Sequence, residues 1–101
     1  MKKQLRTLFG KSVVSGGQPS WDIEERAKWY RFYRHMATFY DIEASTAESL
    51  KDVIKEAQQK GVGIIISYHN FERMVSSQRL KRAYEVCVAM KGDIFKAGCA
   101  G

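Results

Sequence analysis

Val62-Gly63-Ile64-Ile65-Ile66-Ser67-Tyr68 is the stretch that decides the fold of this chain. Successive side chains of a strand point to opposite sides of the sheet, so its isoleucines are directed to both faces. A strand that is apolar on both faces is typical of a parallel sheet covered by other elements on each side. We therefore predict a central, buried, parallel strand over Val62–Tyr68.

A helix is predicted just before this strand. Ser45 and Glu48 have the spacing of a capping box, in which each side chain bonds the free backbone amide of the other. Gly61 stands where a residue with left-handed backbone can end the helix. Four apolar residues recur between these two signals at helical spacing: Leu50, Val53, Ile54 and Ala57.

A further helix and strand are predicted after the central strand. The helix extends from about Ser77 to Met90, and a short strand covers Asp93–Ala97 after Gly92. One face of this helix is expected to pack on the sheet: Leu80, Ala83, Tyr84, Cys87 and Val88.

The amino-terminal part predicts the same alternation. We expect a strand at Lys3–Phe9, a loop at Gly10–Gly17, a helix from about Ser20 to Met36 with Pro19 at its start, and a short strand within Ala37–Glu43. The helix carries two neighbouring apolar stripes, the first with Ile23, Ala27, Tyr30, Tyr33 and Ala37, the second with Trp29, Phe32 and Met36.

The resulting order is βαβαβαβ, in which parallel strands are joined by right-handed crossovers. The 101 residues suffice for one small domain, so we treat 1–101 as a single α/β unit. From the pattern alone it is either a small open sheet or part of a (βα) barrel.

Composition narrows the functional classes. An apolar content of 45% with 12% aromatic residues and one proline favours a globular chain over a disordered one. The net charge of +6, from 17 basic and 11 acidic residues, favours anionic partners. No apolar run approaches the ~18–20 residues of a membrane span, and no secretory signal is recognisable, so we expect a soluble, cytoplasmic protein without membrane contact. Cys87 and Cys99 have neither disulfide-scaffold nor zinc-ligand spacing.

His69 and Lys96 are the strongest candidates for chemistry. In parallel α/β folds the functional groups gather at the carboxyl ends of the strands, and these two residues lie 27 positions apart, near the ends of consecutive strands. A lysine between Phe95 and Ala97 is expected to be desolvated, which favours the neutral amine that attacks carbonyls. The histidine could then move protons near neutral pH.

Four segments together resemble type I 3-dehydroquinate dehydratase. They are Ile64–Phe71, which contains Tyr68-His69-Asn70-Phe71; Gly92–Lys96; the acidic strand Phe39–Glu43; and Thr7–Gly17, which ends in paired glycines. The resemblance implies a (βα)8 TIM barrel, of which this chain would hold about half. It also implies conversion of 3-dehydroquinate to 3-dehydroshikimate in the shikimate pathway, with no metal and no organic cofactor.

The resemblance also assigns roles to residues. Lys96 would form a Schiff base with the substrate ketone, and His69 would act as general acid and base. Lys11 stands where the family has an arginine, and Ser15 where it has a glutamate. Lys11 and Glu43 are therefore the expected substrate-binding residues. Glu43 is also the expected ion-pair partner of Lys96, whereas Asp41 and Glu43 supply too few ligands for a metal.

Half of a parallel barrel leaves sheet edges open, and open edges recruit other strands, so we expect self-association or a partly ordered monomer. Two other functions stay open. One is a nucleic-acid-binding module, suggested by the net charge and by the alternation of basic and aromatic residues over Lys28–His35, although helical periodicity explains those aromatics better as core. The other is a non-catalytic barrel segment that acts as an interaction piece.

Overall fold

A five-stranded sheet in the order β1-β2-β3-β4-β5 forms the centre of the molecule. The structure is a computed structural model that describes residues 5–8, 11–16, 20–70 and 77–99, and for residues 5–8, 11, 69, 70 and 99 it describes the backbone only. The strands are β1 (Leu5–Leu8), β2 (Lys11–Val14), β3 (Phe39–Glu43), β4 (Gly63–Asn70) and β5 (Ile94–Cys99). The helices are α1 (Ile23–Phe32), α2 (Ala44–Ala47), α3 (Lys51–Gln59) and α4 (Ser77–Ala89), with 3-10 turns at Arg34–Met36 and Glu48–Leu50.

The predicted parallel α/β arrangement is confirmed, because β2, β3, β4 and β5 pair in parallel and alternate with helices. The first parallel strand, however, is β2 and not the predicted Lys3–Phe9. The prediction of a loop over Gly10–Gly17 is wrong at Lys11–Val14, where Val13 and Val14 pair with β3 and are buried. The backbone pairing and side-chain burial of these two valines outweigh the preference of the surrounding glycines and serines for a loop. Of Lys3–Phe9, the described residues form β1, which is antiparallel to β2.

The main core lies between the sheet and the helices. Alternate residues of β3 and β4 face it: Tyr40, Ile42, Ile64 and Ile66. They pack against the apolar residues predicted for the second helix, since Leu50, Val53, Ile54 and Ala57 are each at most 3% exposed. The intervening residues of β3–β5 occupy the opposite side of the sheet, which we call the inner face.

Helix α1 is shorter than predicted at both ends. It begins after Asp22, which forms a capping box with Glu25: the Glu25 backbone amide donates to the Asp22 carboxylate at 2.9 Å. Pro19, the predicted start, lies outside the described residues. The helix ends at Phe32, and the 3-10 turn Arg34–Met36 then leads into β3. The second predicted stripe therefore no longer has α-helical spacing beyond Phe32.

The capping box predicted for Ser45 and Glu48 is wrong. Strand β3 leads directly into α2, so Glu43 is the N-cap and Ser45 is already helical. The hydroxyl of Thr46 donates to the backbone carbonyl of Glu43 at 3.0 Å. Without a loop between strand and helix, the predicted cap position falls on the second residue of the helix.

The predicted end of this helical segment is confirmed. Gly61 has a φ of +82°, and its amide donates to the Gln58 carbonyl at 3.1 Å. The Val62 amide donates to the Ala57 carbonyl at 2.9 Å, which completes a Schellman motif. This turn delivers the chain directly into β4.

The prediction for α4 is confirmed in extent but partly wrong in orientation. Ala83 and Cys87 are buried, whereas Tyr84 and Val88 are 53% and 60% exposed. Val86 and Met90 pack on the core in their place, because the buried stripe is centred nearer the Ala83–Cys87 side of the helix than predicted. No helix in the described part of the chain is long and apolar enough to cross a membrane.

Two buried tyrosines join α1 to β3. The Tyr30 hydroxyl donates to the Asp41 carbonyl at 2.6 Å, and the Tyr40 hydroxyl donates to the Tyr30 carbonyl at 2.7 Å. Burial raises the pKa of both phenols above the usual tyrosine value, that of Tyr40 to about 12. The pair therefore fixes the backbone of β3 at Asp41.

Gly63 provides space for an aromatic ring on the neighbouring strand. It pairs with Phe39, and a methyl group added at position 63 would lie 2.5 Å from two carbons of the Phe39 ring. We expect Gly63→Ala to lower the free energy of unfolding by about 1–3 kcal/mol, the usual effect of overpacking. Chemical denaturation would measure the change. In a Phe39→Ala background the same substitution should cost much less, and additive effects would contradict the prediction.

Candidate active site at the carboxyl ends of the strands

Three polar residues form a row across the inner face of the sheet. Glu43, the last residue of β3, pairs with Ser67 of β4, and Ser67 pairs with Lys96 of β5. Paired residues of neighbouring strands point to the same face, so the row brings a carboxylate, a hydroxyl and an ammonium group to the carboxyl-terminal part of the sheet. Ser67 is 2% exposed, and it separates the two charged residues.

Lys96 forms an ion pair with Asp41 and not with Glu43 as predicted. Its Nζ lies 3.1 Å from Asp41 Oδ2, and the exposed fractions of the two side chains are 46% and 5%. Asp41 lies two residues before Glu43 on β3 and deeper in the sheet, so the flexible stem of Lys96 carries its ammonium to the buried carboxylate. A carboxylate this buried needs such a partner to offset its lost hydration. Glu43 is exposed.

The surroundings of Lys96 therefore differ from the desolvated site predicted between Phe95 and Ala97. The side chain is about half exposed, and its nitrogen forms an ion pair with a carboxylate. The ammonium must pass on a proton before the amine can attack a carbonyl. The Asp41 carboxylate is within hydrogen-bond distance of that proton.

His69 lies on the strand beside Lys96, as predicted from the spacing. Its backbone pairs with Gly98, two residues beyond the Ser67–Lys96 pair. It is still within β4, which extends to Asn70.

Lys11 is placed at the other end of the sheet by the strand register. It is the first residue of β2, and Val13, two residues later, pairs with the first residue of β3. Glu43 is the last residue of β3. At ~3.3 Å per residue, the backbone of Lys11 is roughly 20 Å from the row of Glu43 along the strand direction.

The loop after β2 is held by side chains of α1. Trp29 Nε1 donates to the Ser15 carbonyl at 3.0 Å, and an Arg26 guanidinium nitrogen donates to the Gly16 carbonyl at the same distance. These contacts fix the segment in which the resemblance expects a glutamate at position 15. They use Trp29, which was predicted to pack in the core, and Arg26, for which the sequence predicted no contact.

Sequence reasoning also missed Asp41 as the partner of Lys96. The two carboxylates of β3 share a face at i and i+2, so alternation alone cannot select between them. A usable signal was the depth of each residue in the strand: Asp41 lies in its interior, whereas Glu43 ends it.

The family model of type I 3-dehydroquinase matches residues 5–99 of this chain. A 3-dehydroquinate dehydratase of Thermococcus onnurineus (strain NA1) is 29% identical over 86 residues, which are 85% of this chain and 40% of the relative. That of Methanothermobacter thermautotrophicus is 37% identical over 87 residues, or 85% of this chain and 37% of the relative. The chain thus spans about 40% of the length of these curated relatives.

Solved structures show the same fold. The 3-dehydroquinate dehydratase of Aquifex aeolicus VF5 aligns with a TM-score of 0.72 at 22% identity and covers 88% of this chain, which spans 42% of that protein. The type I enzyme of Clostridium difficile, solved with covalently modified comenic acid, gives 0.73 at 17% identity, with 86% and 38% covered. These neighbours are TIM barrels, and the parallel strands of this chain form part of one.

Proposed function

This chain belongs to the type I 3-dehydroquinase family, and from that premise we propose that it carries the imine-forming part of a 3-dehydroquinate dehydratase site. Lys96 is the nucleophile and His69 the general acid and base. The proposal rests on the contact of 3.1 Å between Lys96 Nζ and the buried Asp41 carboxylate. Lys96 lies on β5, which pairs with the strand that contains His69.

The reaction begins with loss of a proton from the Lys96 ammonium. The amine attacks the ketone carbon of 3-dehydroquinate, and loss of water from the adduct gives a protonated imine. This imine withdraws electrons, so a base can remove the proton of the adjacent carbon to give an enamine. The enamine expels the β-hydroxyl group, which leaves as water with a proton from His69, and hydrolysis of the product imine frees Lys96.

Asp41 extends this proposal beyond the two residues that the sequence suggested. Its carboxylate can accept the first proton of Lys96 and can then stabilise the positive charge of the protonated imine, which forms at the same nitrogen. The hydrogen bond from the Tyr30 hydroxyl to the Asp41 carbonyl holds that part of β3 in place. Asp41 thus has a position that serves both the resting ammonium and the charged intermediate.

Substrate contacts beyond the imine are expected from two sources. Glu43 lies exposed at the end of β3 in the row with Lys96, where its carboxylate can accept hydrogen bonds from substrate hydroxyls. The remaining contacts would come from the part of the barrel that the relatives have beyond this chain. Lys11 receives no role in the proposal, because the register places it at the opposite end of the sheet.

Incubation with 3-dehydroquinate and borohydride, which reduces an imine to a stable amine, tests the proposal. We expect mass spectrometry of the intact protein and of its peptides to show one adduct, located on Lys96. Lys96→Arg should abolish the adduct, because arginine keeps the positive charge beside Asp41 but does not form the imine. Asp41→Asn should slow trapping by about 10²-fold, the low end for a lost proton-transfer group.

Lys60→Arg is the matched control, since Lys60 is an exposed lysine after α3, and it should leave the adduct unchanged. Circular dichroism would establish that each variant is folded. An adduct on other lysines that survives Lys96→Arg would overturn the proposal. So would no adduct at all from folded protein, a result that would favour the non-catalytic barrel segment.

The structure engages part of the aromatic surface that the nucleic-acid alternative needs. Within Lys28–His35, Tyr30 is 1% exposed, and the Trp29 indole is engaged by the Ser15 carbonyl. Phe32, at 69% exposed, is the large ring of this segment that faces outward.

A further inference from the structure

Gly98, in strand β5, is a glycine that neither its own backbone nor the packing of the described residues requires. Its φ lies outside the left-handed region that favours glycine, and a methyl group added at position 98 would meet no described atom within 4 Å. By contrast, Gly61 has a φ of +82°, and a methyl group at Gly63 would lie 2.5 Å from the Phe39 ring. The fold of the described residues therefore does not explain why position 98 is glycine.

Glycine in the interior of a strand is unfavourable, because it loses more conformational freedom on folding than other residues and has no side chain to pack. Where it occurs, it often marks a β-bulge, a bend, or a place where a ligand or another backbone approaches closely. Strand β5 pairs with β4 without interruption from Ile94 to Cys99, so Gly98 is not at a bulge. The close approach of a ligand is the cause that agrees with its position in the sheet.

Gly98 lies beside the two residues of the proposed chemistry. It follows Lys96 by two positions on β5, so positions 96 and 98 point to the same inner face, with their backbones roughly 6.6 Å apart. The backbone of Gly98 pairs with that of His69 on β4. Gly98 is thus nearer than the nucleophile to the carboxyl end of the sheet, and next to the backbone of the proposed general acid and base.

The imine would place the substrate next to Gly98. The Lys96 side chain extends from β5 toward Asp41 on β3, with its Nζ 3.1 Å from the carboxylate, so the nitrogen lies between these strands on the inner face. In the proposed mechanism His69 acts on the atoms that adjoin the imine carbon. The substrate must therefore extend from the Lys96 nitrogen toward the paired positions 69 and 98. A side chain at position 98 would occupy the border of that space.

We propose that Gly98 determines the size of the ketone that Lys96 accepts. Without a side chain, position 98 leaves room for a six-membered ring linked to the Lys96 nitrogen, whereas a larger residue would restrict the site to small open-chain ketones. The inference rests on the proposed function, because it takes Lys96 as the nucleophile. It names the substrate class, cyclic ketones, to which 3-dehydroquinate belongs, and the residue that admits it.

The discrimination is steric, since glycine has no side-chain group that could bind the substrate. One methylene group more or less in a closely fitting pocket changes discrimination by about 10–200-fold. An imine of acetone carries one methyl group on each side of its carbon, whereas an imine of cyclohexanone carries a closed ring. The ring is the part that extends toward position 98, so a change there should affect the cyclic ketone.

Trapping of these two ketones with borohydride measures the size limit. The Lys96 amine forms a C=N bond to the ketone carbon, and the carbonyl oxygen leaves as water. Borohydride then donates hydride to that carbon, which leaves a stable C–N single bond. Mass spectrometry of the peptides would give the adduct on Lys96 relative to that on the exposed Lys60. Lys60 reacts outside the site and corrects for the different reactivities of the two ketones.

Replacement of Gly98 should separate the two ketones. Gly98→Val should lower the Lys96 adduct of cyclohexanone at least about tenfold and that of acetone by less than about twofold. Gly98→Ala should act in the same direction with a smaller effect. Ala97→Val is the matched control, because Ala97 is exposed on the same strand and points to the opposite face, so both adducts should be unchanged. Circular dichroism would establish that each variant is folded.

Urea unfolding of Gly98→Ala separates a role in substrate size from a role in the fold. Alanine at this position meets no described atom within 4 Å and reduces the conformational entropy of the unfolded chain, so the midpoint of unfolding should rise. The same variant should nevertheless accept cyclohexanone less well than the unaltered chain. A glycine that the fold requires would give a lower midpoint instead, and that result would overturn the proposal.

Two trapping results would also overturn the proposal. One is a Gly98→Val protein that forms both adducts as the unaltered chain does. The other is a folded variant that loses both adducts to the same extent, which would indicate that Lys96 itself is disturbed.

The same measurements distinguish this proposal from the proposed function. If the unaltered, folded chain forms no adduct on Lys96 with either ketone, Lys96 is not the nucleophile, and both proposals fail. A cyclohexanone adduct on Lys96 that Gly98→Val removes, in a chain that forms no adduct with 3-dehydroquinate, would support the role of Gly98 and overturn the proposed function.

Discussion

Ile66→Ala should lower the free energy of unfolding by about 2–5 kcal/mol, which is a large share of the ~5–15 kcal/mol that stabilises a typical domain. Ile66 is 0% exposed on β4 and lies in the core between the sheet and the helices. Its Cγ1 is so close to the tight turn before β5 that a methyl group on Gly92 would approach it within 3.1 Å. Removal of the side chain therefore loses apolar burial and leaves a cavity beside that turn.

Urea unfolding followed by circular dichroism would measure this loss. Val88→Ala is the comparison, because Val88 is 60% exposed and its truncation should change stability by at most about 0.5 kcal/mol. Equal small effects of both substitutions would contradict the core described for β4. A changed denaturant slope would indicate that the variant no longer unfolds in two states.

Alkaline solution should destabilise the protein through its two buried tyrosines. Burial raises the pKa of Tyr30 and Tyr40 in the folded state, so both phenols stay protonated there while those of the unfolded chain ionise at about pH 10. Their contribution to stability is complete below about pH 10 and falls as the pH rises above it. The expected loss is about 1.4 kcal/mol per pH unit for each tyrosine. For Tyr40 it levels off near its folded-state pKa of about 12.

Unfolding free energies measured on either side of about pH 10 would test this expectation. Tyr30→Phe should lower stability at neutral pH by about 1–3 kcal/mol, because the Asp41 carbonyl loses its buried donor. The same variant should show a shallower decline in alkali than the unaltered chain, since one titrating group is gone. A decline of equal steepness in both proteins would show that other groups cause the alkaline loss.

The parts of the fold that short-range signals govern could be predicted from the sequence. The spacing of the apolar residues in β4 and in the helix before it indicates which side chains are buried. Gly61 ends that helix in the left-handed conformation. The errors occurred where a distant partner decides. Lys11–Val14 is a strand because β3 lies beside it, and Phe32, the last residue of α1, is exposed although its spacing predicted packing.

In the candidate site, too, local spacing could be predicted from the sequence, whereas contacts with distant partners could not. Consecutive parallel strands predicted that His69 and Lys96 would be on neighbouring strands, and the register of β4 and β5 places their backbones there. The partner of Lys96 could not be predicted, because the choice between Asp41 and Glu43 depends on where β3 ends and on how far the lysine side chain reaches. Tyr30 was predicted to be part of the core, but its bond to the Asp41 carbonyl needed coordinates to be seen.

Because β1 is antiparallel, the two edges of the sheet differ in how they can pair with a further parallel strand. A parallel strand could add to β5 directly, but on the other side β1 already occupies the backbone groups of β2. Closure of a parallel ring on that side would require strand exchange, in which a newcomer displaces four paired residues. A parallel strand could therefore pair with β2 on that side only after the four pairs between β1 and β2, from Leu5–Val14 to Leu8–Lys11, had been broken.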